Sequence, residues 1–323
     1  SMLSKVLING QKKPVSEIVK RTNNQIEKYA IYDKILKSLL PDACQDISNE
    51  LKTLEDPTNG LINKFHGNNA ESLNYEDITV QSAYMLCYFP YYIENIYHLL
   101  HYIECAETRH IFKNDMNINL YGCGPAPDLL GLVAFLNKKY GSKISHINVN
   151  FFDKHDWTKL RNECVNNYAK LFNHTINIET NNSEINLLEC DNAEYVVANV
   201  VDDSQLHVFQ NCTTDIYTQC KSYHKIGAIF NTFCNHMSPE SVAIIIDFLG
   251  KGDSMTILNS IKKKLAENAK IKILDNTYNV DEFIPNFIQN ADVQSFLNHC
   301  YKKAQVEPRK STGYTYLAVQ RRG

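Results

Sequence analysis

Residues 119–130 read NLYGCGPAPDLL. A short apolar run meets Gly122, Cys123 and Gly124, then Pro125 and Pro127, then Asp128 and more leucines. That order describes a strand turning sharply into a helix. Glycines permit unusual φ and let a ligand approach the backbone. The helix beyond them offers free N–H groups and a positive dipole end, which suit an anionic group. Further along, Asp153 ends the apolar run INVNFFD. An acid at the end of the second strand of a nucleotide-binding sheet accepts ribose hydroxyls. Trp157, the only tryptophan, follows in DKHDWTKL, and Gln210, Asn211 and Cys212 form a polar edge directly after the apolar run LHVF.

These residues need elements to bring them together. From about residue 115 the chain alternates strand-like apolar runs with helical segments of 10–15 residues, the mark of a parallel sheet with crossover helices. DMNINLYGCG, SHINVNFFD, HTINIET, SQLHVFQN and SVAIIIDFL read as strands, AKIKILDN as a strand or extended segment, and GYTYLAVQRR as the last strand. PDLLGLVAFLNKKYG, DWTKLRNECVNNYAKLF, SMTILNSIKKKLAEN and DVQSFLNHCYKKA read as helices, and TTDIYTQCKSYHKIGAIFNTFCNHM as one or two more. Residues 184–203 read as a loop with a short helix. In an open parallel sheet, ligands bind at the carboxyl ends of the strands. The turn at 122–128, Asp153 and Gln210–Cys212 all fall at such ends.

Residues from about 14 to 110 read as helical, with VSEIVKRTNNQIEKYAIYDKILKSLL ending at Pro41. DPTNG (56–60) and FHGNNAESLN (65–74) read as loops, and Pro90 predicts a break in the aromatic stretch ITVQSAYMLCYFPYYIENIYHLLHYIECAE. The expected organisation is therefore an N-terminal helical cap or substrate region over 1–110 and a ligand-binding α/β domain over 111–323.

The bulk numbers narrow the class. A net charge of −3 does not support a nucleic-acid partner, although a local basic patch remains compatible with it. No apolar run approaches the roughly 20 residues of a membrane span. Ser1-Met2 reads as a leftover residue before the natural start, with no signal segment after it. The ten cysteines form no CxxC pair and no zinc spacing with histidine, so buried reduced thiols, no metal and a cytoplasmic setting are the expectation.

Two phosphate turns are excluded by composition. No G-x-x-x-x-G-K-[ST] string exists, and the third glycine of G-x-G-x-x-G is replaced by Pro127. What YGCGPAPDLLGL resembles is the first motif of the class I S-adenosylmethionine-dependent methyltransferases. That family usually carries an acid two residues before the first glycine. Here Leu120 stands there, and Asp128 could supply a substitute charge. The resemblance covers about 115–323. It implies a Rossmann-like sheet of seven mostly parallel strands with an antiparallel terminal strand, and S-adenosyl-L-methionine as cofactor. It implies cofactor contacts from Tyr121, Gly122, Cys123, Gly124, Pro125 and Asp128 at the methionyl end. Asp153 would hold the ribose, Trp157 and the Asp191-Asn192 pair would lie near the adenine, and Gln210 would stand near the sulfonium. Gln210, Asn211 and Cys212 are the candidates for the substrate edge. Cys212 lacks the preceding proline of cytosine-C5 enzymes and reads as a bystander, and His207 reads as a core histidine. The expected activity is methyl transfer to an unidentified acceptor (RNA, protein or small molecule). The alternative is a degenerate fold of the same type that serves as an interaction module. A nicotinamide enzyme is disfavoured, because the two prolines remove pyrophosphate donors.

Overall fold

A computed structural model describes residues 5–8, 11–14, 51–66, 73–168, 172, 174–200, 203–248, 254–283, 291–308 and 311–323. The segment expected to be helical at 15–40 lies outside these residues. Near the N-terminus, β1 (Lys5–Ile8) and β2 (Gln11–Pro14) pair antiparallel. The pair was not expected, although Asn9-Gly10 between the two runs is a hairpin signal.

Three helices follow. They are α1 (Glu55–Phe65), α2 (Ile78–Cys87) and α3 (Phe89–Ile103). DPTNG, expected as a loop, lies inside α1. Its proline falls in the first turn, where a missing N–H costs nothing, and Glu55 and Asp56 favour the dipole there. Leu54, Thr58, Leu61 and Ile62 recur at helical spacing, and all are buried, so packing overrides the local turn signals. The break expected near Pro90 occurs at Tyr88 (φ −124°, ψ −36°), and the proline sits in the first turn of α3.

The remaining chain forms a seven-stranded sheet in the order β5-β4-β3-β6-β7-β9-β8. Its strands are β3 (Met116–Tyr121), β4 (His146–Asp153), β5 (Asn177–Glu184), β6 (Leu206–Gln210), β7 (Val242–Phe248), β8 (Ile271–Phe283) and β9 (Ser311–Arg321). The first five are parallel, and β9 runs antiparallel to both β7 and β8. The helices are α4 (Pro127–Tyr140), α5 (Thr158–Tyr168), α6 (Ala193–Asn199), α7 (Thr213–Cys220), α8 (Tyr223–His236), α9 (Ser254–Ala266) and α10 (Ala291–Lys303). This is a Rossmann-like α/β fold. The strand order reverses between β3 and β6, which places a crevice at their carboxyl ends.

Each sheet face has its own core. One contains Ile118, Leu120, Leu129, Val133 and Phe151 together with Leu61, Met85, Ile93 and Leu100 of α1–α3. The N-terminal helices and the sheet thus share one apolar interior. The two approach closely at Gly131 of α4, where a Cβ would stand 2.3 Å from the Ile93 carbonyl oxygen of α3. The other face holds Tyr121, Phe152, Phe209 and Phe233 under α8. A row of polar groups crosses the sheet on this face. Asn181 donates to Asn150 (3.3 Å) and Asn150 to Asn119 (3.0 Å), matching their places opposite one another in the register.

Candidate active site

The turn after β3 is held in an unusual backbone form. Gly122, Gly124 and Ala126 have φ of 59°, 50° and 60°. At Gly122 a Cβ would also meet the Cys212 Cβ at 3.2 Å, so glycine is required there for two reasons. The turn's donors are largely tied inward. Gly122 N–H donates to Phe152 O (2.7 Å), Gly124 N–H to Asp153 Oδ2 (2.7 Å) and Ala126 N–H to Cys123 O (2.7 Å). Pro125 and Pro127 have no N–H. The turn is therefore poor in donors for a phosphate.

What it offers is a carboxylate. Asp128 lies in the first turn of α4 and is 1% exposed. Its Oδ1 accepts from Leu129 N–H (3.1 Å), while Oδ2 has no partner among the described residues. Burial pushes its pKa up to about 7. An unpaired buried carboxylate is costly unless a cation meets it. Asp128 lines the cavity, so a ligand's cation can reach it.

Asp153 ends β4 beside this turn. Its Oδ2 accepts from Gly124 and its Oδ1 from His155 N–H (3.0 Å). Each carboxylate oxygen keeps a further acceptor site, so Asp153 can still receive ligand hydroxyls. Arg161, buried on α5, braces the assembly. Its Nε donates to Gly124 O (2.7 Å), its Nη1 donates to Asn182 Oδ1 (2.8 Å), and its Nη2 stands 3.9 Å from Asp153 Oδ2. Arg161 was missed in the sequence. It falls in series with Trp157, Leu160, Cys164, Val165 and Tyr168, all buried, and an arginine on an apolar helical stripe is the signal that could have found it. Gln81 of α2 was missed too. Its amide donates to Tyr75 O and Asp156 O, both at 2.8 Å, and ties the N-terminal helices to the loop after β4.

The turn, Asp128 and Asp153 line one cavity of about 550 Å³, a size typical of small-molecule sites, with Arg161 and Gln81 behind its walls. Its walls include Gly122, Cys123, Gly124, Asp128, Asp153 and Trp157. Segment 185–188 and Gln210, Asn211 and Cys212 line it as well. Trp157 is 4% exposed and lies 3.6 Å from the position a Gly124 Cβ would take. Gln210 is 4% exposed; its Nε2 donates to Tyr92 O (2.9 Å), and its Oε1 is buried without a partner among the described residues. Asn211 (φ 58°) likewise has an Oδ1 with no partner among the described residues. Burial raises the thiol pKa values of Cys123 and Cys212, which keeps both protonated and weakly nucleophilic.

Four candidate residues lie outside the lining. Tyr121 points into the opposite core, its hydroxyl between Asn119 Nδ2 and His207 Nδ1, both at 2.9 Å. That His207 is buried, and desolvation lowers its pKa to about 4, so it stays neutral. Pro125 contributes its carbonyl to the Tyr168 hydroxyl (3.3 Å). Asp191 pairs with Lys225 at 3.6 Å on the surface, and Asn192 caps α6 through Glu194 N–H and Tyr195 N–H. The cavity wall at this level is formed by Ile185, Asn186, Leu187 and Leu188 instead. The N-terminal helices close the other side with Lys64, Phe65, Tyr75, Tyr84 and Tyr92. No described helix is long and apolar enough to cross a membrane.

The chain matches no protein-family model and no curated protein in sequence. In shape it is similar to a loganic acid methyltransferase with SAH, at 9% identity over 78% of this chain and 98% of that one, with a TM-score of 0.46. It is also similar to an rRNA methylase from Streptococcus thermophilus, at 9% identity over 70% and 96% of the two chains (TM-score 0.35). A third is a precorrin-6y C5,15-methyltransferase from Geobacter metallireducens GS-15, at 8% identity over 68% and 84% (TM-score 0.37).

Proposed function

We propose that the chain is an S-adenosyl-L-methionine-dependent methyltransferase. The observation that carries this is the Asp128 carboxylate, buried and half unpartnered at a glycine turn whose own donors face inward. A phosphate would be repelled there. The α-amino group of a methionyl tail is the cation such a site accommodates, and Asp128 would supply the negative charge that Leu120 does not provide.

The other residues fit the same ligand. The absence of side chains at Gly122 and Gly124 leaves room for its tail, Asp153 has free acceptor sites for two ribose hydroxyls, and Trp157, Leu187 and Leu188 give the same cavity apolar surface for a base. When bound, the cofactor supplies a methyl group made electrophilic by a sulfonium. The protein's part is to align an acceptor with it and exclude water. Gln210–Cys212 and the aromatic side chains of α1–α3 form the wall that does this.

Titration calorimetry with S-adenosylmethionine tests the reading. Binding by the natural chain and loss of binding by Asp128→Asn is the expected result. An absence of heat and of thermal shift from the natural chain would sink it. Binding without methyl transfer to any extract would instead point to an interaction module.

A further inference from the structure

Beyond the turn, the cavity has a second end. It is built by Lys64 and Phe65 of α1, Tyr75 ahead of α2, Tyr84 of α2, Gln210 at the end of β6 and Asn211 after it, Thr214 and Asp215 of α7, and Asp247 of β7. The unsatisfied polar atoms described there share one property. Gln210 is fixed in orientation, because its Nε2 donates to Tyr92 O, so the buried orphan is the acceptor Oε1. The Asn211 orphan is also an acceptor, Oδ1. Asp215 opens onto the cavity with no hydrogen bond to its carboxylate among the described residues. Behind it Asp247 is buried, its oxygens receiving Thr213 Oγ1, Thr214 N–H (2.9 Å) and Phe248 N–H (2.7 Å). Acceptors without donors call for a ligand that brings N–H groups, and two carboxylates call for one that is positive.

The aromatic wall already shows how it receives such a group. The Lys64 ammonium sits 4.6 Å from the centre of the Tyr75 ring and donates to the Tyr75 hydroxyl at 3.0 Å. Tyr75 in turn lies 6.3 Å from Trp157 and 5.6 Å from His155, ring centre to ring centre. The corner is lined by ring faces, which attract cations.

We infer that the methyl acceptor is a small amine with an apolar or aromatic body, its nitrogen received by Gln210 Oε1, Asn211 Oδ1 and the Asp215 carboxylate. This rests on the methyltransferase reading above. An ammonium has no lone pair, so it first loses one proton, which Asp215 accepts and passes to water. The nitrogen pair then forms the N–CH3 bond as the C–S bond of the sulfonium breaks, and that electron pair stays on sulfur as a thioether. The product is a methylated ammonium, which later gives up a proton to water. Asp215 suits the first step: the protein packed around it and the neighbouring Asp247 raise its pKa above the ordinary carboxylate value, while the residue itself is exposed at the cavity mouth, where water can take the proton on. Lys64 and His155 face Asp215 and oppose that shift.

Three probes on one aromatic body decide the class: phenethylamine, hydrocinnamate and phenethyl alcohol, alongside a panel of aliphatic and aromatic amines. Each is measured by thermal shift, on the chain alone and with S-adenosylhomocysteine, and by transfer of labelled methyl. The expected result is binding and N-methylation of amines. Asp215→Asn should weaken amine binding about tenfold, the scale of one charged hydrogen bond, with cofactor affinity unchanged. Lys64→Met, which removes a competing ammonium, should tighten amine binding several-fold. Preference for hydrocinnamate or the alcohol, weaker amine binding in Lys64→Met, or no shift and no label from any amine would each overturn the inference. If the cofactor itself fails to bind, the methyltransferase reading falls, and amine binding to the cofactor-free chain, lost in Asp215→Asn, still decides this one.

Discussion

The two ends of the cavity are built on different plans. At the glycine turn, Gly124, Asp153 and Arg161 are tied to one another, and the unbonded atoms among the described residues are charged, the acceptor Asp128 Oδ2 and the donor Arg161 Nη2. At the end of β6 the orphans are neutral amide oxygens, in a cavity also lined by Tyr75, Tyr84 and Tyr92 of the N-terminal region. A rigid turn with one unmet carboxylate oxygen specifies its ligand closely. A wall of rings and acceptors specifies only a class. The difference matches a protein with one invariant ligand and one that the fold alone does not dictate.

The largest effect should come from the charge. Asp128→Asn keeps the shape and removes the anion, so S-adenosylmethionine affinity should fall about a hundredfold or more, on the scale of 2–5 kcal/mol for a buried charge pair. The same change should stabilise the ligand-free chain. With its pKa raised to about 7, folded Asp128 holds a proton that the unfolded chain has lost above about pH 4. Stability therefore falls as pH rises from about 4 to about 7, by up to about 4 kcal/mol, and Asp128→Asn should remove that slope. Calorimetry and thermal melts across this pH range read both signs. If the variant binds the cofactor normally, the contrast between the ends collapses.

Next is the joint between the ends. Gly131 lets α3 approach α4, and a Cβ there would lie 2.3 Å from Ile93 O. Gly131→Ala should cost about 1–3 kcal/mol by overpacking, seen as a lower Tm and an earlier denaturation midpoint. Because α3 carries the carbonyl that orients Gln210, acceptor binding should suffer more than cofactor binding. Equal loss at both ends would show that the N-terminal helices and the sheet respond as one unit.

Sequence legibility follows the same division. The turn, Asp128, Asp153 and Trp157 lie within residues 122–157 on two neighbouring strands, so local pattern and general fold rules were enough to locate them. The second end joins Lys64 to Asp247, and no local pattern links α1 to β7. Lys64, Tyr75, Gln81 and Asp215 were therefore unread, each with an ordinary solvent or core role available to it. The strand pattern was clear because buried parallel strands are continuous apolar runs, as in AIIIDF. DPTNG misled because turn-forming residues can begin a helix when its apolar face is well packed. Asp191 misled for a related reason: residues 185–188 reach the cavity first, and the short helix after them turns the acid towards Lys225.

A smaller effect should follow pH at the turn alone. Cofactor affinity should weaken as pH falls below about 7, approaching tenfold per unit, because protonated Asp128 offers no charge to an ammonium. Calorimetry from pH 8 to pH 6 measures it, and an affinity flat over that range would assign the amino group elsewhere.

The smallest expected effect is the one that touches both ends. Trp157 packs over Gly124 on one side and meets Tyr84 edge-on at 5.6 Å on the other. As the only tryptophan, it reports on the site without labelling. Cofactor binding should change its emission strongly, since a base in the slot beside it alters the ring's surroundings. An amine bound without cofactor should change it less, through Tyr75 and Tyr84. Trp157→Phe keeps an aromatic face with less area, so each affinity should fall by only about 1 kcal/mol, on the scale of one aromatic contact. An emission change with the amine but not with S-adenosylmethionine would reverse the assignment of the two ends, because it would place the acceptor over the glycine turn.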